Sequence, residues 1–208
     1  MNDERHNKRL RLLIAKLNKE RKRQAKQIDI LCNDLIAAQK QFLKALKVIG
    51  FAANFYEAIA GLTDLNELLC TTGNLIKDQI QDVNVAFFLL QANSFELHIF
   101  ESDQPIDLED RRIENFFTTE LVDEIAKSNR LCTIDDMLAM GLAGNPRCIE
   151  KVAAAGLPLN HHGRSLGFVL LYRGSQRPFT CDELKSIAQI SSGLTRSIAA
   201  CRDLVHST

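Results

Sequence analysis

The chain has 208 residues, 46% of them hydrophobic, with 26 Lys or Arg balanced by 26 Asp or Glu. That allows one domain of about 150 residues, burying roughly 70% of its unfolded surface, plus an appendage. Apolar runs such as VAFFLL are far shorter than the roughly 20 residues that span a bilayer, and the charged start MNDERHNKRL does not resemble a signal peptide, so a cytoplasmic protein without a membrane partner is expected.

Charge is unevenly placed. Residues 1 to 26 hold ten Lys or Arg against three Asp or Glu. Such a block on its own reads as a solvated helix face, and the sequence favours that over nucleic-acid binding. Six cysteines stand at 32, 70, 132, 148, 181 and 201, with no CxxC pair among them, which points to reduced thiols.

No glycine precedes Gly50 and no proline precedes Pro105, while good helix formers dominate the first fifty positions. One long helix over about residues 4 to 49 is expected, roughly 70 Å in length. Its apolar residues recur at alternating steps of three and four. Ile14, Ile28, Leu35, Phe42 and Ile49 fall at heptad position a, and Leu10, Leu17, Leu31, Ala38 and Ala45 at d. Isoleucine at a with leucine at d fits a parallel pair of chains, so a homodimer is expected, broken locally by Arg21 (a) and Gln24 (d). The expected division is a coiled-coil helix over 1–50 and a globular domain over 51–208.

Beyond Gly50, FAANFYEAIA continues helically, and TDLNELLCTTGNLIKDQI predicts a second helix capped by Thr63 or Asp64. VNVAFFLL and FELHIFE read as a hairpin joined through Gln91 to Ser94. VNVAFFLL is apolar on both alternating faces, so that strand is expected to be covered on both sides. IENFFTTELVDEIAKS predicts a helix and LCTID a short strand. KVAAAGLPL and SLGFVLLYRG form a second strand pair with NHHG between them, and Thr180 with Glu183 has capping-box spacing before a last amphipathic helix. Helices bracketing a mainly antiparallel sheet give an α+β class.

Two of these phrases carry a family resemblance. LPLNHHGRSLGFVLLYRG resembles the paired strands of GAF domains, and RPFTCDELKSIAQIS resembles their closing signature, Phe-Thr and an acidic residue ahead of an amphipathic helix. The resemblance covers about residues 52 to 203. It implies a six-stranded or similar antiparallel sheet, GAF/PAS-like, with the first and last helices on one face and a small-molecule pocket under variable helices on the other. It also implies a regulatory, non-catalytic role in signal transduction of bacterial type. Family ligands include cyclic nucleotides, bilins, haem, amino acids and organic acids. The Asn-Lys-Phe-Asp-Glu pattern of cyclic-nucleotide binders is missing here, as are the Cys-His and Asp-x-Cys-Phe contexts of bilin attachment, so the cofactor is left open.

Under this resemblance Phe88, His98, Phe100, Cys132, Met137, Met140 and Cys148 are the expected pocket residues, with 131–150 as the roof. Leu10, Ile14, Leu17, Ile28, Leu31, Leu35, Phe42 and Ile49 are the expected dimer interface. Further partners would be a small molecule or a signalling protein. No output domain follows residue 208, so the chain is expected to be either part of a longer receptor or a binder of partners.

Two rival readings stand beside this one. The first is a ligand-free dimeric adaptor. The second is a thiol enzyme like free methionine sulfoxide reductase using Cys132 and Cys148, although that family's Pro-Gly-His-Ile-Ala stretch is missing. His161 and His162 lie in the polar connector NHHG, where adjacent side chains of an extended segment point apart, so no metal site and no catalytic residue are assigned. Cys181 opens the last helix, where the helix dipole and the neighbouring Asp182 and Glu183 act on its thiol in opposite senses. GLAGNP at 141 to 146 reads as a loop.

Overall fold

The computed structural model describes residues 2–91, 94–102, 113–144 and 149–205, except the side chains of 2–6, 8 and 205. By internal contacts the chain divides into two units, residues 1–47 and 48–208.

The first unit is helical over its described residues. Helix α1 runs unbroken over Asn2–Ile59, passing through Gly50, and every side chain described from Arg9 to Lys47 is exposed or nearly so. Residues 48–59 of the same helix belong to the second unit, where Phe51, Phe55 and Ile59 are buried.

Among the described residues, the second unit is built on five antiparallel strands: β1 (Asn84–Leu90), β2 (Phe95–Phe100), β3 (Cys132–Thr133), β4 (Val152–His161) and β5 (Arg164–Gly174), in the order β2-β1-β5-β4-β3. Strand β1 lies between β2 and β5 and is buried on both faces, as its unbroken apolar run requires. On one face lie the end of α1, helix α2 (Leu65–Gln79) and helix α5 (Cys181–Val205), whose Leu68, Leu69, Ile76, Ile190, Leu194 and Ile198 pack against Val85, Phe87, Leu89, Val169 and Leu171. On the other face lie a 3-10 turn (Ile113–Phe116), helix α3 (Thr119–Lys127) and helix α4 (Ile134–Ala139).

The helix starts follow from capping. The Asp64 side chain accepts from the Glu67 N–H at 2.8 Å to open α2. Before α5, the Thr180 N–H donates to Glu183 Oε2 at 2.7 Å while the Glu183 N–H donates to Thr180 Oγ1 at 3.2 Å, the reciprocal capping box. A second box, Thr133 with Asp136, starts α4 directly after the two residues of β3.

Two sequence expectations are corrected here. IENFFTTELVDEIAKS is not one helix: Thr118 adopts an extended conformation and caps α3 by accepting from Leu121 N–H at 3.3 Å, so the preceding residues form a separate 3-10 turn. NHHG is not a four-residue connector either. Asn160 and His161 remain in β4, and the turn is only His162 and Gly163, both at positive φ (47° and 77°), the combination that matches the twist of a two-residue hairpin.

Candidate functional site

The roof-side interior is built from alternate residues of the central strands. Phe88 of β1 and Phe168 of β5 stand opposite one another and stack with ring centroids 4.7 Å apart and planes 3° from parallel. Phe117, carried by the segment ahead of α3, closes on both at 5.0 and 5.8 Å. Met137 of α4 is fully buried beside them, its terminal methyl against Gly156, where an added Cβ would come within 2.8 Å of it. Met140, the last residue of the α4 turn, is half-buried at the edge of the same cluster.

Cys132 is also fully buried on this side. Its thiol donates to the Arg130 carbonyl at 3.4 Å and lies 3.1 Å from Ser128 Oγ. Cys148, its expected companion, lies outside the described residues, as do 145–147 of the expected roof.

The strand register separates the expected pocket residues. His98 faces Phe87 across the β1–β2 pair, and Phe100 faces Val85, so both point to the helical face rather than the roof. Phe100 packs edge-on to Phe87 at 5.7 Å and presses into a notch at Gly73 of α2, where a Cβ would meet its ring at 2.8 Å. His98 Nε2 sits 2.9 Å from Glu96 Oε1, but the two are not aligned as a hydrogen bond. Phe88, Cys132, Met137 and Met140 are thus brought together, and His98 and Phe100 are not among them.

A polar pair that the sequence reading missed lies on the roof side. Glu114 of the 3-10 turn is 3% exposed, and Tyr172 of β5 donates its hydroxyl to Glu114 Oε1. Oε2 of the same carboxylate is buried and has no hydrogen-bond partner among the described residues. The residues are 58 apart in sequence, and Glu114 sits in a phrase whose apolar pattern reads as ordinary helix. No local signal marks it.

The histidine pair differs from expectation in one respect. Because His162 has left-handed backbone, its ring turns back toward His161, with centroids 4.2 Å apart and planes at 61°. Among the described residues, no three or more His, Cys, Asp or Glu side chains converge as a metal cluster. No described helix is long and apolar enough to cross a membrane.

On α1, the expected interface residues Leu10, Ile14, Leu17, Ile28, Leu31, Leu35, Phe42 and Ile49 are each between 45% and 69% exposed.

No protein-family model matches the sequence, and no curated protein matches it. Solved structures do match. The GAF domain of a phosphoenolpyruvate-protein phosphotransferase from Acinetobacter superposes with a TM-score of 0.57 at 12% identity, covering 77% of this chain and 98% of that one. The corresponding domain from Coxiella burnetii gives 0.58 at 11%, covering 78% and 98%. The GAF3 domain of Slr1393 from Synechocystis sp. PCC6803, solved in its photoproduct state, gives 0.53 at 14%, covering 70% and 99%. At such identities the likeness is one of fold: a five-stranded antiparallel sheet between a helical layer and a roof, which is the GAF fold.

Proposed function

We propose that this chain is a non-catalytic regulatory module of the GAF fold, held as a parallel homodimer through α1, acting in the cytoplasm through contacts with a signalling protein. The observation that carries this reading is the exposed heptad seam on an unbroken helix. Apolar surface left in water costs about 25 cal/mol per Å², and the a and d spacing fits a second helix of the same kind. The final turns of that helix carry Phe51, Phe55 and Ile59 into the same core cluster as Ile190, Leu194 and Ile198 of α5. Repacking of this layer therefore acts directly on α1, and a bias of about 1 to 3 kcal/mol is the usual scale of such coupling.

The filled stack of Phe88, Phe117 and Phe168 favours protein contacts over a small molecule as the input. GAF folds in a phosphotransferase and in a photoresponsive protein support a regulatory role. Sedimentation equilibrium of the full chain tests the reading. A dimer is expected in the micromolar range, with Ile28→Lys/Leu35→Lys monomeric yet unchanged in the melting of the globular unit. Monomers of the unaltered chain throughout that range would refute it.

A second reading, a small-molecule sensor, is favoured by one observation, the unpartnered Oε2 of Glu114. A ligand with an N–H or ammonium group would satisfy it. Thermal-shift screening of the twenty amino acids against the chain and its Glu114→Gln variant decides: stabilisation of the former alone supports the sensor, and no stabilisation of either removes it.

A further inference from the structure

Helix geometry gives the amino-terminal charge an address. At about 100° per residue, Arg9, Lys16, Lys19, Lys22, Arg23 and Lys26 fall within an arc of about 140° around α1, with no acidic residue of 9–26 inside it. The middle of that arc is opposite Leu10, Ile14 and Leu17, so the basic residues occupy the b, c and f positions and point away from the seam. All six are exposed. Between Arg9 and Lys26 the helix advances about 26 Å, so positive charge is laid along one side of the helix.

We infer that this face binds the phosphate backbone of double-stranded DNA. A duplex carries one negative charge per about 1.7 Å of axis, so about fifteen lie within the reach of the stripe, and its major groove, about 12 Å wide, admits a helix. A bilayer surface is the poorer match, because an interfacial helix buries an apolar face beside its charges. Leu12 is the one large apolar residue on the arc, and the apolar side of the helix is committed to the second copy under the proposed dimer. The inference rests on that reading only for this choice against lipid. The stripe itself belongs to a single chain.

Fluorescence anisotropy with a labelled 24-base-pair duplex, using the full chain, tests the inference alongside sedimentation of the same samples. With four phosphates neutralised, affinity should fall roughly 150-fold between 50 and 200 mM salt. Lys19→Gln/Lys22→Gln/Arg23→Gln/Lys26→Gln should remain helical and dimeric and lose at least thirtyfold in affinity at 50 mM salt. The result that overturns the inference is no anisotropy change at 20 μM protein in 50 mM salt, undiminished binding by the quadruple variant, or pelleting with 7:3 phosphatidylcholine:phosphatidylserine vesicles by a chain that ignores the duplex. Monomeric chains that bind the duplex with the expected salt dependence would support the basic face while removing the dimer.

Discussion

Glu183 holds Arg173 through both carboxylate oxygens, at 3.0 Å to Nη1 and 2.9 Å to Nη2, joining the first turn of α5 to the end of β5. Arg173 is almost wholly buried, and its remaining N–H groups donate to the carbonyls of Arg177, Gln81 and Pro178 at 2.6, 3.2 and 3.0 Å. Its guanidinium also lies 4.5 Å above the ring centroid of Phe179. The same carboxylate serves the capping box with Thr180, so one acidic side chain starts the helix and neutralises the buried cation.

Burial alone would raise the Glu183 carboxyl, but the bonds from Arg173 and Thr180 outweigh it and hold the group below its ordinary value of 4.5. A folded pKa below the unfolded one gives stability that is fully present above the unfolded value and is lost as pH falls through the lower folded one. The contribution of this carboxyl to stability, followed by denaturation at a series of pH values with circular dichroism, should therefore decline as pH falls below 4.5. Glu183→Gln should flatten that part of the pH profile and cost about 3 kcal/mol at neutral pH, because the Arg173 charge stays behind.

Gly167 has φ +135°, and a Cβ there would lie 1.8 Å from the Phe88 carbonyl oxygen. It sits where the β4–β5 register shifts, with Leu159 opposite Gly167 and Asn160 opposite Ser165. Gly167→Ala should cost at least about 3 kcal/mol from backbone strain and the clash with the neighbouring strand β1. Urea denaturation measures it, and a loss below 1 kcal/mol would show that β1 yields at this point.

Arg21 and Gln24 occupy seam positions and are exposed on the single chain. Under the proposed pairing, Arg21→Ile/Gln24→Leu should strengthen the dimer by about 2 kcal/mol per chain and raise the concentration-dependent melting of α1. Arg21 lies outside the basic arc, so duplex binding should be unaffected. Unchanged self-association would place the seam elsewhere on the helix.

Cys32, Cys70 and Cys181 are exposed, whereas Cys132 and Cys201 are buried. Burial, with the Asp64 carboxylate adding to it, pushes the Cys201 thiol up. Mass spectrometry after brief maleimide treatment should find the first three modified, and the last two modified only after unfolding. Rapid labelling of Cys132 in the native chain would instead reopen the thiol-enzyme reading.

Much of this fold was legible before any coordinates, because its signals are local. A run with no Pro, and no Gly before Gly50, marks most of α1, Asp64 and the Thr180–Glu183 pair mark helix starts, and the doubly apolar VNVAFFLL identifies a strand covered on both faces. The candidate site was legible in part: Phe88, Cys132, Met137 and Met140 do share the roof side.

Tertiary structure alone decided the rest. Alternation along β2 divides its residues into two sets, but only the pairing with β1 determines that His98 and Phe100 belong to the helical face. The closeness of the two histidine rings depends on one left-handed residue, His162, and the Tyr172–Glu114 and Arg173–Gln81 contacts join positions 58 and 92 apart. Periodicity and capping act within a few residues and specify elements. Which side chains then share a buried site depends on register and on how distant elements pack, and neither leaves a local trace in the chain.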